Sequence, residues 1–206
     1  MSVASSSDGT KLVAAVYDGT LWSSADSGST WTSVASTQKW YSVASSSDGT
    51  KLVAAVNNGN LWVSADSGST WTEDTTSVGS PKEWYSVTSS ADGTKLVATV
   101  NNGKLWTSVD SGTTWTSVGS TQGWTSVASS SDGTKLVAAV YNGNLWRGVI
   151  CDANTFDTNS DNTDGCEAGC PTVAGGTCNT CSDATTCTAV TCDANKFDTN
   201  SDATDG

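Results

Sequence analysis

The strongest constraint on this chain is that one segment of about 40 residues recurs four times. Residues 2–16 read SVASSSDGTKLVAAV, and residues 42–56 and 126–140 repeat that string without change. The remaining copy, residues 86–100, reads SVTSSADGTKLVATV. A repeat of this length is typical of stacked or circular architectures, in which each unit covers the apolar faces of its neighbours.

Within one copy, short runs with strand composition alternate with turn signals. Residues 40–46 and 51–56 are rich in aromatic, apolar and β-branched side chains, and Ser-Asp-Gly and Asn-Gly steps follow them. Such steps favour tight turns between antiparallel strands. Residues 61–64 and 70–72 supply a third and a fourth strand, and no segment has helical spacing. Because a single sheet of this kind leaves both faces uncovered, the pattern predicts an all-β fold with four-stranded β-propeller blades.

The repeats predict about four blades over residues 1–150, with an incomplete last blade of three strands. The chain starts and stops within a repeat, so we expect a fragment of a longer repetitive protein. An open ring would leave sheet edges exposed, and exposed edges pair with other chains. Self-association through such edges is therefore one expected property.

A second motif ends three of the copies. Residues 24–31 and 64–71 read SADSGSTW, and residues 108–115 read SVDSGTTW. The pattern resembles the Asp-box, or BNR repeat, of sialidase-like and sortilin-like propellers and of propellers similar to the photosystem II assembly factor. The resemblance implies a mainly structural role, in which an aspartate caps the turn, a glycine permits its backbone and a tryptophan packs inside the blade. These residues are Asp26, Gly28, Trp31, Asp66, Gly68, Trp71, Asp110, Gly112 and Trp115.

The composition changes sharply at residue 150, which predicts a second domain over residues 151–206. This part contains all seven cysteines, and residues 151–165 recur as residues 192–206. One period holds six cysteines in a segment with few large apolar side chains, which favours disulfide staples over zinc ligation and indicates an extracellular or other oxidising location. The pairing remains open among Cys151, Cys166, Cys170, Cys178, Cys181 and Cys187.

Hard oxygen ligands alternate near the start of this acidic repeat. Asp157, Asn159 and Asp161 are spaced like the ligands of a calcium loop. The competing interpretation is a solvated acidic turn, because the rest of the EF-hand pattern is broken. This spacing is the one indication of a cofactor, calcium, and the sequence requires none.

Charge argues against two classes of partner. The formal net charge is −12, and nucleic-acid binding depends on neutralising phosphates with Lys and Arg. No apolar run approaches the roughly 20 residues of a membrane helix. We therefore expect neither nucleic-acid binding nor membrane insertion.

An enzyme is not expected either. The chain has no histidine, so a Ser-His-Asp triad is impossible. Sialidases of this fold use several arginines to hold the substrate carboxylate, whereas Arg147 is the single arginine of this sequence. Paired carboxylates could still hydrolyse a glycoside, but most acidic residues lie in turns that are copied from blade to blade.

The leading hypothesis is a non-catalytic extracellular interaction or structural module, with a protein or glycan at the cell surface as its partner. A multivalent carbohydrate-binding propeller is the first alternative, an assembly-factor-type propeller the second, and a glycoside hydrolase the last. The candidate ligand platform of the carbohydrate alternative competes with core packing of the same side chains. It comprises Trp40, Tyr41, Trp84, Tyr85 and Trp124.

Overall fold

The computed structural model describes residues 1–79 and 81–150, together with the backbone of a short strand at residues 156–157. Every regular element in these residues is a β-strand, which confirms the all-β prediction. Consecutive strands pair antiparallel within each repeat, as expected where Ser-Asp-Gly and Asn-Gly steps join apolar runs. This part of the chain contains no helix that could cross a membrane.

Residues 2–33 form blade 1 and residues 38–73 form blade 2. The strand order in blade 1 is β1-β2-β4-β5, and β3 extends the hairpin after β2 until it pairs with β6 of the next blade. Blade 2 has the order β6-β7-β8-β9. The strands are β1 (Ser2–Ser5), β2 (Leu12–Ala15), β3 (Tyr17–Gly19), β4 (Leu21–Ser24), β5 (Thr32–Ser33), β6 (Gln38–Ser45), β7 (Leu52–Gly59), β8 (Leu61–Ser64) and β9 (Thr72–Glu73).

Residues 82–122 form blade 3 and residues 124–157 form blade 4. Blade 4 has a fourth strand, residues 156–157, which pairs with Val149 and Ile150. The sequence assigned three strands to this copy and placed those two residues in the tail. The strands are β10 (Lys82–Ser89), β11 (Leu96–Val100), β12 (Gly103–Ser108), β13 (Thr116–Gln122), β14 (Trp124–Ser129), β15 (Lys135–Val140), β16 (Leu145–Ile150) and β17 (Phe156–Asp157).

The core lies between blades rather than inside any one of them. Alternate residues of each second strand face the preceding and the following blade, so both faces of an interior blade are apolar. Between blades 2 and 3, for example, Val53 and Leu61 pack with Val87 and Trp84. Equivalent clusters fill the space between blades 1 and 2 and between blades 3 and 4.

The loop between blades 2 and 3 is longer than the others, and it contributes to this core. Val78 is buried in the cluster between those two blades. The Asp74 carboxylate accepts hydrogen bonds from the backbone N–H groups of Thr76 and Ser77 at 3.0 and 2.8 Å. This loop is therefore a capped turn that places one apolar side chain inside.

Backbone hydrogen bonds connect the Ser-Asp-Gly turns of successive blades. The N–H of Ser7 donates to the carbonyl of Ser47 at 2.7 Å, and the N–H of Ser47 donates to the carbonyl of Ala91 at 2.7 Å. The N–H of Ala91 then donates to the carbonyl of Ser131 at 2.6 Å. Each blade is thus fixed to the next by the same bond.

The four blades form an open arc. In the part of the chain that the structure describes, the extensive contacts between strands of different blades join consecutive blades. Large apolar side chains remain exposed on the outer faces of blades 1 and 4, among them Val3 and Leu145. The number of blades in the described residues, four, is the one expected from the sequence.

Candidate functional site

We call the turns within residues 24–31, 64–71 and 108–115 the box turns. All three have the same geometry, which Asp66 illustrates. Its carboxylate accepts hydrogen bonds from the N–H of Thr70 at 2.8 Å, from the Thr70 hydroxyl at 2.6 Å and from the Ser64 hydroxyl at 2.8 Å. These bonds lower the pKa of Asp66, because they stabilise the ionised form. The aspartate therefore caps the turn. Asp26 and Asp110 make the same bonds.

In each box turn, the glycine follows a serine whose backbone lies in the left-handed region. Gly68 has a φ of 84°, a conformation that side chains disfavour. Its N–H donates to the Ser64 hydroxyl at 2.9 Å. Gly28 and Gly112 have the same conformation, with φ values of 84° and 85°.

The box tryptophans differ according to the neighbour that covers them. Trp115 is buried between blades 2 and 3, and Trp71 is partly buried between blades 1 and 2. Trp31 is exposed, because no blade precedes blade 1 in the structure. The prediction that all three pack inside the fold is therefore wrong at Trp31.

Three tryptophans of the predicted ligand platform are core residues. Trp40, Trp84 and Trp124 are at most 2% exposed, so they cannot present a ring to a ligand. The platform prediction is wrong at these positions, and the competing interpretation of core packing is correct. Each ring meets a second tryptophan of its own blade edge to face at 5.7–6.1 Å, and the partners are Trp62, Trp106 and Trp146.

The residue after each of these tryptophans lies at a β-bulge. The strand register shifts between Trp40 and Ser42, between Trp84 and Ser86, and between Trp124 and Ser126. A bulge re-aims the side chain of the extra residue. The extra residues are Tyr41, Tyr85 and Thr125.

Two of these bulge residues, Tyr41 and Tyr85, align with Tyr17 of β3 across three blades, and we call this group the tyrosine row. The ring centroids of Tyr17 and Tyr41 lie 5.8 Å apart, and those of Tyr41 and Tyr85 lie 4.9 Å apart. The neighbouring Tyr41 hydroxyl, together with burial, raises the pKa of the Tyr85 phenol. Tyr17 is exposed, whereas the other two rings are partly buried. The row is thus a partly accessible aromatic surface fixed to β3 of blade 1 and to the first strands of blades 2 and 3.

A shallow, open depression of about 380 Å³ lies between blades 1 and 2. We call it the polar cleft because most of its lining residues are polar, although part of its exposed surface is apolar. It adjoins the tyrosine row, because one of its lining residues, Lys39, is the strand partner of Tyr17. One acid and one base contribute to the lining, and the remaining polar groups are amides and a hydroxyl. The lining residues are Asp18, Thr37, Gln38, Lys39, Val56, Asn57, Asn58 and Gly59.

Four further carboxylates are bound within the turns that follow the first strands, which read Ser-Asp-Gly in blades 1, 2 and 4 and Ala-Asp-Gly in blade 3. Hydrogen bonds from Ser6 and Thr10 lower the pKa of Asp8 to about 2, and bonds from Ser130 and Thr134 do the same for Asp132. Asp48 and Asp92 are bound in the same way. A carboxylate held ionised in this manner is poorly suited to donate a proton near neutral pH.

Other predicted site residues lie at or beyond the end of the described chain. Asp157 belongs to β17 and pairs with Val149. The other proposed calcium ligands, Asn159 and Asp161, lie outside the described residues, as do the cysteines. Within the described residues, no three acidic, cysteine or histidine side chains cluster as metal ligands.

Sequence reasoning missed the cleft and the alignment of the tyrosines. It identified Tyr41 and Tyr85 but grouped them with the buried tryptophans. The signal was available in the repeat itself, because these bulge positions vary between blades while the tryptophan before them does not.

Comparison with known proteins identifies a family and a fold. The family model of the DUF6242 beta propeller domain matches residues 2–146. A GH74 enzyme from Niastella koreensis is similar in structure, with a TM-score of 0.56 and 22% identity over 76% of this chain and 24% of that one. The GH74 xyloglucanase from Xanthomonas campestris has a TM-score of 0.55 and 16% identity over the same shares. YCF48 bound to a D1 peptide has a TM-score of 0.47 and 14% identity over 77% of this chain and 68% of that one.

The likeness to the two GH74 proteins shows the propeller fold alone. The chain spans 24% of the length of each GH74 protein. No curated protein matches the chain.

Proposed function

Because this chain belongs to the DUF6242 β-propeller family, we propose that it acts as a non-catalytic interaction module that holds a partner against its blades. The observation that carries this proposal is the tyrosine row beside the polar cleft. Tyrosine offers a large contact area with few rotatable bonds, so an ordered row loses little entropy when a partner binds. The strands that carry Tyr41 and Tyr85 pack directly against each other, which holds the two rings in place.

The carboxylates support a role without catalysis. Hydrolysis of a glycoside needs two carboxyl groups that face one bond, about 5–10 Å apart, with one of them protonated. The box and Ser-Asp-Gly aspartates are instead bound by hydroxyl and N–H groups of their own turns. Their lowered pKa values favour the ionised state that a turn cap requires.

A glycan is the partner that the cleft favours, and carbohydrate binding is therefore the second candidate function. Side-chain amides of Gln38, Asn57 and Asn58 line the cleft, and amides both donate and accept hydrogen bonds. Such groups suit a neutral, hydroxyl-rich ligand, while the adjacent rings can cover its apolar face. A strongly charged ligand would find one acid and one base in the cleft, Asp18 and Lys39.

The test is a glycan array probed with the disulfide-intact chain, with and without calcium, together with an assay for reducing ends released from every bound glycan. We expect retention without release of reducing ends. The Tyr41→Thr variant should bind about 10-fold more weakly, because it loses ring contact. Thr125 already occupies the equivalent bulge, so this change should preserve the fold. Tyr141→Thr is the matched control, because Tyr141 is exposed outside the row.

The outcomes separate the candidates. Release of reducing ends would overturn the non-catalytic proposal. Selective retention that Tyr41→Thr weakens and Tyr141→Thr leaves unchanged would support a carbohydrate-binding module, whereas equal loss in both variants would contradict the role of the tyrosine row. If chelation of calcium abolished retention, the ligands proposed at Asp157, Asn159 and Asp161 would gain support.

The extracellular location is a further part of the proposal, and it rests on the cysteines of residues 151–206. Alkylation of the unreduced, denatured chain followed by mass measurement counts free thiols. We expect six of the seven cysteines to resist alkylation because they form disulfides. Seven reactive thiols in protein isolated from its natural source would overturn this assignment.

A further inference from the structure

The outer face of blade 1 is an apolar surface that no blade covers. Val3 is 77% exposed, whereas the equivalent valines of the other three blades are 4–7% exposed. Leu12 and Trp31 lie on the same face and line an open trough of about 330 Å³ with Val3. We call this surface the leading face. The buried equivalents of Val3 are Val43, Val87 and Val127.

Among the residues that the structure describes, none covers the outer face of blade 4 either. Leu145 is 76% exposed, whereas the equivalent leucines of blades 1 to 3 are at most 1% exposed. Val137 is also exposed, although its equivalents are buried. We call this surface the trailing face. The buried equivalents of Leu145 are Leu21, Leu61 and Leu105.

These two faces are the two halves of one interface. Each of the three interfaces inside the arc brings the trailing face of one blade against the leading face of the next. Between blades 1 and 2, for instance, Leu21 of the trailing face packs with Val43 of the leading face. The second strand of blade 4 repeats the sequence of blades 1 and 2, so the trailing face of blade 4 presents the same apolar residues to a leading face such as that of blade 1. It differs at Arg147, which pairs with Val137 where the other blades have Ser23, Val63 and Thr107.

We propose that the chain assembles head to tail, with the trailing face of blade 4 docked on the leading face of blade 1 of a second copy. The two faces are different surfaces, so this contact is heterologous and builds either a closed ring of chains or an open filament. The sheet edges expected from the sequence are not the surfaces involved. This proposal does not depend on the function proposed for the tyrosine row.

The polar contacts of the inner interfaces support the fit. Lys11 donates from Nζ to the carbonyl of Asp48 in the next blade at 3.0 Å, and Lys95 donates to that of Asp132 at 3.4 Å. The corresponding contact between copies would join Lys135 of one chain to Asp8 of the other. The repeated backbone bond would likewise join the N–H of Ser131 to the carbonyl of Ser7.

Space for the lysine stem is present at the uncovered turn. A Cβ built on Gly49 would lie 2.8 Å from the Cβ of Lys11, so the lysine of the preceding blade packs directly on that glycine. Gly133 is covered by Lys95 in the same way. Gly9, the equivalent residue of blade 1, has nothing within 4 Å of such a Cβ. The stem of Lys135 from a second copy would fill this space.

Sedimentation equilibrium of the full chain over a range of concentrations tests the proposal. We expect the mass to rise from that of one chain, 21.0 kDa, to whole multiples of it, in the presence and in the absence of a reductant. Val3→Asp and Leu145→Asp should each weaken association by about 30-fold or more, because each places an unpaired charge inside the interface. Thr116→Asp is the control, since it adds the same charge to an exposed position of interior blade 3.

A mixture of the two face variants distinguishes this geometry from any other. Val3→Asp retains a normal trailing face and Leu145→Asp retains a normal leading face, so an equimolar mixture should form a one-to-one dimer that grows no further. Three results would each overturn the proposal. The first is a wild-type chain that stays monomeric at about 100 μM, the second is association that disappears with reductant, and the third is a mixture that stays monomeric. The first result would mean that blades of a different chain, and not a second copy of this one, cover the two faces.

Discussion

Trp84 and Tyr85 are neighbours in the sequence, yet they belong to different regions of the molecule. Trp84 is fully buried, donates from Nε1 to the carbonyl of Gly59 at 3.0 Å and packs between two blades. Tyr85 lies at a bulge and contacts Tyr41 of the preceding blade. The same division holds one blade earlier, between Trp40 and Tyr41.

Variation among the repeats follows this division. The tryptophan is the same in blades 2, 3 and 4, because the space between blades admits one shape. The next position is Tyr, Tyr and Thr in those blades, which shows that the fold accepts different side chains at the bulge. In a chain of near-identical repeats, packing explains the positions that stay the same, and the positions that vary are the better candidates for recognition.

The largest expected effect is at the tryptophan. Trp84→Ala should lower the free energy of unfolding by about 3–5 kcal/mol, since it removes a buried ring and leaves a cavity between blades 2 and 3. Chemical denaturation followed by tryptophan fluorescence measures the loss. Trp22→Ala is the control, because Trp22 lies in blade 1, which has no residue at the Trp84 position, and is partly exposed. Equal losses in the two variants would break the distinction between buried and accessible aromatic positions.

Most of the fold could be predicted from the sequence. The repeat predicts the length and number of the blades, and the turn residues predict where each hairpin reverses. The three platform tryptophans were candidates because they lie where the chain enters each blade. Their burial depends on the neighbouring blade that covers them, which is a tertiary contact that the sequence does not show. Trp31 was misplaced because its burial depends on a preceding blade. The strand at residues 156–157 was missed because it lies in an acidic segment of tail composition, and pairing with β16 is a tertiary effect.

A fall in pH should destabilise the repeated turns through their aspartates, whereas it should not act on the tyrosine row. Hydrogen bonds from neighbouring hydroxyl and N–H groups lower the pKa of Asp8, Asp26 and Asp92 from 3.8 to about 2. A carboxylate with a lower pKa in the folded state stabilises the fold fully above its unfolded pKa and loses that contribution as the pH falls through its folded pKa. Stability should therefore hold from pH 7 to about pH 5 and decline between about pH 4 and pH 2.

Thermal unfolding at a series of pH values measures this decline. Asp92→Asn is the informative variant, because its turn can no longer lose a proton. It should be less stable than the wild type at pH 7, and the difference should shrink as the pH falls to 2. If the difference in stability stayed constant across that range, the carboxylate charge would contribute nothing to the turn. The turn aspartates would then have no structural role comparable to that of the buried tryptophans.

The smallest expected effect on stability is at the tyrosine row. Tyr41→Thr should lower the free energy of unfolding by about 1 kcal/mol, the scale of one aromatic pair contact, because Tyr41 is partly buried and its ring contacts Tyr17 and Tyr85. The equivalent bulge of blade 4 already accommodates Thr125 between Trp124 and Ser126, so the backbone has no need to change. Chemical denaturation beside Trp84→Ala gives the comparison directly. If Tyr41→Thr lowered the free energy of unfolding as much as Trp84→Ala does, the tyrosine row would belong to the core. The exposure of Tyr17 would then only mark where that core reaches the surface.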